Sequence, residues 1–287
     1  MATRQGSQND RWPSYFPGVS DISDGLPTGY TREKRPATRL ETVEAILDKS
    51  ARRIRAVPLQ RAFIQSGERK EAMPGPLARF VSRHDDTALR GYLLALAGAS
   101  APPFDIKQPA DVWARALDLD LVGVSKMWAR LERLGLIGRR REGRRSVITI
   151  LREDGSGLTY THPFLLEPKR PYVKIPFIYW TSGLEARLSL PARAVFLIAL
   201  THRGWFTLPA EKAPAWYGIS ADSFERGVDA LKREEVLRTT PVYKTAPLAP
   251  RGYTRQTAFL LLPPYGSRRL LVPPASTFTE PAEVTAT

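Results

Sequence analysis

Apolar positions along the chain follow a helical rhythm interrupted by proline and glycine, and the interruptions outline the elements. Leu40, Val43, Ile46, Leu47 and Ile54 fall at helical spacing, so a helix is expected over 40–57, closed by Pro58. A second short helix is expected around 59–64, and Met73-Pro74-Gly75-Pro76 reads as a break. Leu89, Tyr92, Leu93 and Leu96 mark an apolar helix over 87–97. After Pro102 and Pro103 the run 104–106 reads as extended, and Gln108-Pro109-Ala110 opens a helix to about 117. A third helix is expected over 120–134, followed by two strand-like runs, 136–141 and 146–151, around a charged loop.

The same order then returns. An aromatic lead-in at 173–180 precedes a helix that opens at Pro191 and runs through Phe196 and Leu200 to about 201. The run 205–208 reads as extended, 210–216 as a short helix and 220–234 as a longer one; strands follow at 237–243 and 256–262. Outside these blocks, 1–36 is polar and rich in Pro, Gly, Ser and Asp, and 265–287 is rich in Pro, Thr and Ala; both are expected to be disordered. The stretch 37–80 is read as a basic helical arm, because Arg52, Arg53 and Arg55 follow its apolar stripe. Two readings of those arginines stand open, a solvated helix face and an extra DNA-contacting arm.

The two blocks match at an offset of 100 positions. Leu117-Asp118-Leu119-Asp120 and Tyr217-Gly218-Ile219-Ser220 each set an apolar residue, a turn residue, an apolar residue and an N-cap residue before a helix. Further on, Val124 answers to Phe224, Trp128 to Val228, Leu131 to Leu231 and Ile137 to Leu237, so each helix buries one stripe and turns the opposite face outward. Trp113, Trp128, Phe196 and Phe224 lie on such stripes and are assigned to the core. This pattern resembles the turn and recognition helix of bacterial winged helix-turn-helix proteins, found in transcription regulators and in plasmid and phage replication initiators. The resemblance covers about 87–151 and 173–262. It implies a mainly α fold with small β-hairpin wings (α+β), made of two winged-helix domains in tandem, 81–155 and 170–264. In that family the motif ends in a small residue and two apolar ones. Gly135-Leu136-Ile137 keeps this ending, whereas Glu235 departs from it.

Charge sharpens the functional expectation. Lys plus Arg number 43 against 29 for Asp plus Glu, a net +14, which favours a polyanionic partner. Arg outnumbers Lys 33 to 10, a bias typical of a G+C-rich bacterial genome or its phages and plasmids. The outward face of the first third helix offers Val122, Gly123, Ser125, Lys126 and Arg130 to a major groove. The second offers Ser223 and Arg226, but among Asp222 and Glu225, which repel phosphate. Arg139-Arg140-Arg141-Glu142-Gly143-Arg144-Arg145 holds five arginines in seven residues, with Glu142-Gly143 as the expected hairpin tip. Such a wing suits a minor groove or the phosphate backbone. Neutralising about five phosphates gives a slope near −4.5 for log K against log salt. The second hairpin contributes Lys244, Arg251 and Arg255 and is less basic.

Other chemistry finds little support. There is no cysteine, hence no disulfide, thiolate metal site or thiol nucleophile. His84, His162 and His202 stand far apart, and neither a Gly-Lys-Ser/Thr phosphate loop nor a Gly-x-Ser-x-Gly elbow occurs. No apolar run approaches the ~20 residues that span a bilayer. The expectation is a cytoplasmic, nucleoid-associated, non-enzymatic protein that needs no metal or cofactor and binds double-stranded DNA. A transcription regulator and an initiator on direct repeats both fit. A scaffold that recruits a replication or transcription protein through the second block is the rival from another class. Whether the chain forms a homodimer stays open.

Overall fold

The computed structural model describes residues 35–67, 71–143, 145–162 and 172–266. Of the expected disordered ends, 1–34 and 267–287 lie outside the described residues, as does Arg144, whereas Tyr265 is described and packs edge-on against Phe196. The fold is mixed α+β with small antiparallel sheets. Helix α1 (Arg39–Lys49) opens with a capping box in which Thr38 and Glu41 satisfy each other's backbone N–H, and it buries Val43, Ile46 and Leu47. It ends eight residues short of the expected limit at 57. The chain turns through Ala51 and Arg55, both left-handed, into strand β1 (Ala56–Gln60). Strand β1 pairs antiparallel with β7 (Tyr172–Pro176), Val57 facing Ile175 and Leu59 facing Val173. Pairing across more than a hundred positions overrides the local helical spacing. Pro58 is tolerated because both strands of a two-stranded sheet are edges.

The expected helix at 59–64 is only a 3-10 turn, Arg61–Phe63. It leads to a minimal hairpin of β2 (Gln65–Ser66) and β3 (Met73–Pro74), then to α2 (Leu77–Ser82). Val43, Leu47, Leu59, Phe63 and Phe80 are buried in the main core, so 37–80 is built into the body rather than standing off it as an arm.

The first block comprises α3 (Asp86–Gly98), β4 (Asp105–Ile106), α4 (Ala110–Leu117), α5 (Leu121–Arg133), β5 (Ile137–Glu142) and β6 (Arg145–Ile150), with sheet order β4-β6-β5. Glu142 pairs with Arg145, so Glu142 belongs to the strand ladder and not to the expected Glu142-Gly143 tip. After β7 come two single-turn helices, α6 (Ile178–Thr181) and α7 (Leu184–Arg187), within and just beyond the aromatic lead-in. The second block continues with α8 (Leu190–Leu200), β8 (Phe206–Thr207), α9 (Ala213–Tyr217), α10 (Ala221–Arg233), β9 (Leu237–Thr245) and β10 (Tyr253–Leu261), in sheet order β8-β10-β9. One buried apolar cluster runs through both blocks.

The offset of 100 positions extends to backbone detail. Asp118 and Gly218 are both left-handed, at φ 57° and 66°. Asp120 accepts from the Gly123 N–H and Ser220 from the Ser223 N–H, so both third helices are N-capped the same way. Gly135 and Glu235 are left-handed too, φ 68° and 56°, and Leu136 and Val236 donate back to the Leu131 and Leu231 carbonyls. Glu235, the departure noted in sequence, thus makes the same turn at the cost that a side chain carries there, about 1–2 kcal/mol.

The helix crossings invert one pairing of large and small residues. At the crossing of α3 and α5, Gly91 faces Met127; at that of α8 and α10, Gly227 faces Pro191 and Val195. A Cβ on Gly91 would run into the Met127 sulfur, whereas one on Gly227 would meet the Pro191 carbonyl oxygen at 2.6 Å. A thioether can swing aside and a helix carbonyl cannot. Gly227→Ala is therefore expected to cost about 1–3 kcal/mol in urea unfolding, and Gly91→Ala clearly less.

Candidate nucleic-acid interface

Helix α5 presents the first candidate face. Its buried side is Val124, Met127, Trp128 and Leu131, with Trp128 edge-on to Trp113 at 5.2 Å. On the opposite side Val122, Ser125, Lys126 and Arg130 are exposed. Leu121 is 58% exposed beside Val122, also 58%, so two apolar side chains meet solvent in the first turn. Leu121 is absent from the sequence-based set because it stands in register with the buried stripe; only the structure places it beyond the core's edge. Gly123 serves the cap, since its N–H donates to Asp120 at 2.6 Å and is not free for phosphate. Arg130 is drawn to Asp85, the N-cap of α3, at 2.9 Å. Val122, Ser125 and Lys126 remain without a hydrogen bond or ion pair from their side chains among the described residues.

The hairpin of β5 and β6 carries fewer free cations than its sequence offers. Arg139 reaches back to Glu132 of α5, Nε to carboxylate at 2.7 Å. Arg140 donates to both Asp105 oxygens, to Thr149 at 2.6 Å and to Glu142 at 2.9 Å. Lys107 closes the far side onto Glu142 at 2.9 Å. The hydrogen bond from Arg140 holds Asp105 below the usual carboxylate range, and that from Lys107, then Arg140, does the same for Glu142. These contacts staple the hairpin to β4. Arg141 and Arg145, exposed, have no such partner among the described residues. Asp105, Lys107 and Thr149 could not be assigned this task from sequence, because they meet Arg140 only across the sheet.

No protein-family model and no curated protein matches the chain.

The second block differs in charge. On α10, Arg226 pairs with Asp222 at 2.8 Å and donates to Ser223 at 3.3 Å, so both sequence-based candidates there are bound to neighbours on the same helix. Glu225 and Asp229, with Glu211 and one cation, Arg255, border a groove of about 660 Å³ floored by Phe224, Val228 and Phe259. The hairpin of β9 and β10 is longer, nine residues a strand, and Lys244, Arg251 and Arg255 are exposed on it without ion pairs among the described residues. At its tip, in a loop bounded by the Ala246 N–H to Gly252 carbonyl bond, Leu248 is fully exposed. In the sequence the signal for that tip is a leucine between Pro247 and Pro250 in a basic loop. Among the described residues no group of three His, Cys, Asp or Glu is placed to hold a metal, and no helix is long and apolar enough to cross a membrane.

Proposed function

We propose that this chain is a sequence-specific double-stranded-DNA-binding protein of the bacterial cytoplasm, acting by binding rather than catalysis through tandem winged helices, as a transcription regulator. The observation that carries the reading is the juxtaposition in the first block. An N-capped helix with an exposed Val122, Ser125 and Lys126 face leads into a stapled hairpin that holds Arg141 and Arg145 free. The helix face reads base edges: Lys126 suits guanine or phosphate, Ser125 gives and takes hydrogen bonds, and Leu121 and Val122 suit thymine methyls. The arginines fix register on the backbone. In the second block Lys244, Arg251 and Arg255 grip phosphate, and Leu248 is suited to a minor-groove wedge.

The test is selection from random duplex DNA followed by affinity across a salt series. Arg141→Ala with Arg145→Ala is expected to leave the selected motif unchanged and to make the salt slope shallower by about 2, roughly one for each phosphate no longer neutralised. Lys126→Ala is expected to relax the motif itself. An inverted repeat would mark a regulator and a direct repeat an initiator. The absence of any motif, with wing variants binding like wild type, sinks the proposal. One observation favours a reading of another class for the second block: three acids against the single Arg255 around its groove suit a basic protein segment better than DNA. Nuclease-resistant co-elution of a replication or transcription partner would select that reading.

A further inference from the structure

A cavity of about 290 Å³ lies where four distant stretches of chain meet: the turn from α1 to β1, the stretch just after α3, the segment after β6, and β7. Its cations are Arg52, Arg53 and Lys174. His162, whose proton affinity burial and then Arg52 lower, lines it as a neutral ring. Its hydroxyl side is Ser100, and no carboxylate among the described residues lines it. Ser50 also lines it, but its hydroxyl donates to the Leu47 carbonyl at 2.5 Å.

Arg52 is the informative member. Its Nη2 donates to the Leu96 and Ala99 carbonyls at 3.1 and 3.0 Å, the end of α3, which fixes the guanidinium in place. Its Nε is buried and meets no acceptor among the described residues. Burial lowers its affinity for the proton, and the fields of Tyr160 and then Glu153 oppose that effect. Glu153 is itself fully buried and pushed up to about 8, so at neutral pH it is protonated and supplies no compensating charge. Arg53 and Lys174 stand at the rim, exposed and without ion pairs among the described residues. A set of cations on an ordinary solvated surface would keep its donors in water; here one donor, Arg52 Nε, is sealed off, while Arg53 and Lys174 flank the same concave space.

We propose that this cavity binds a phosphate-type oxyanion, carried by a small free ligand or by a nucleic-acid backbone. A planar guanidinium fixed by two carbonyls, with an ammonium and a hydroxyl beside it, matches tetrahedral oxyanion geometry. Because the lining comes from β1, from Ser100 just after α3 and from β7 together, an anion bound there touches chain from both blocks and is placed to act on their relative position. The inference stands whether or not the first block binds duplex DNA.

Calorimetric titration of the full chain with inorganic phosphate, and with a nucleoside monophosphate, at ionic strength held constant with chloride, tests it. One-to-one binding is expected, weakened about tenfold or more by Arg53→Ser with Lys174→Ser. Both changes are at exposed positions, so the fold should survive, which unaltered thermal unfolding without phosphate checks. Arg141→Ala with Arg145→Ala should leave phosphate binding intact, which separates this site from the proposed duplex face. Binding of the free anions identifies a small-ligand site. No binding of free anions, but duplex affinity abolished in the Arg53 and Lys174 variant, identifies a backbone phosphate. The proposal is overturned if phosphate binds the variant as well as wild type, or if neither phosphate nor duplex binding depends on these residues.

Discussion

Glu153→Gln is expected to stabilise the protein by about 3 kcal/mol at pH 7 and about 4 kcal/mol at pH 8, while leaving it unchanged below pH 4.5. Glu153 is fully buried. One carboxyl oxygen accepts the Gln60 backbone N–H at 3.0 Å, and the other has no partner among the described residues. The Tyr92 and Tyr160 hydroxyls, which feel its charge, and Gln60 Oε1 are buried and unpartnered as well among those residues. Burial pushes the carboxyl from its ordinary value of 4.5 to about 8, against the opposing Gln60 hydrogen bond. A folded-state value above the unfolded one means that this group's contribution is fully present below 4.5 and is lost as pH rises through 8. Glutamine keeps the acceptor for Gln60, carries no charge to neutralise, and offers its amide protons to the unpartnered oxygens. Urea unfolding from pH 4 to 9 reads the effect as the difference between the two profiles. That subtraction also removes the opposite trend from His202, which burial, then Arg61, holds down to about 4. If the variant is no more stable than wild type at pH 8, the carboxyl ionises without penalty and this account of its burial fails.

Glu153 also marks where the sequence stops being informative. Between Arg152 and Asp154, in Arg-Glu-Asp-Gly, it looks like a solvated loop acid. It is buried because β1 returns over it, and β1 is the strand that local spacing concealed within an expected helix. The elements that were legible are those whose signal is local. The caps Asp120 and Ser220, the stripes of α5 and α10 and the hairpin strands all follow from neighbours within a turn or two. The matching turns at Asp118 and Gly218 follow in the same way. What stayed hidden depends on contacts between distant residues. The five arginines of the first hairpin look equally free in sequence, yet Asp105 and Glu142 hold Arg140 and Glu132 holds Arg139. The candidate contact set accordingly shrinks toward Arg141, Arg145 and the α5 face, with Leu121 added. The single-turn helices α6 and α7 are too short for periodicity to reveal.

Those two short helices frame the other large effect, at Arg193. Arg193→Lys is expected to destabilise the protein by about 3 kcal/mol or more although it keeps the charge. The guanidinium of Arg193, on α8, is fully buried. Its five N–H groups match five acceptors: Asp86 Oδ1 at 3.0 Å, Asp86 Oδ2 at 3.3 Å, the Tyr179 hydroxyl at 2.5 Å, and the Glu185 and Leu188 carbonyls, each at 2.8 Å. Lysine offers one nitrogen and three protons and cannot reach this fan. Asp86 opens α3 in the first block, while the other acceptors lie just before α8 in the second. The Glu185 side chain extends the lock, bridging Arg39 of α1 and Arg90 of α3. Two carboxylates and three guanidinia thus tie the blocks together where an apolar contact alone would allow sliding. Hydrogen exchange should report the weakened lock as faster opening of 178–188, ahead of the β5–β6 hairpin. Under the duplex-binding proposal, a locked pair of unequal blocks demands a fixed distance between the two parts of its site. Arg193→Lys should then broaden the spacings that selection recovers while leaving each part's sequence unchanged. A variant as stable as wild type, with unchanged spacing, would mean that the apolar core alone sets the arrangement of the blocks.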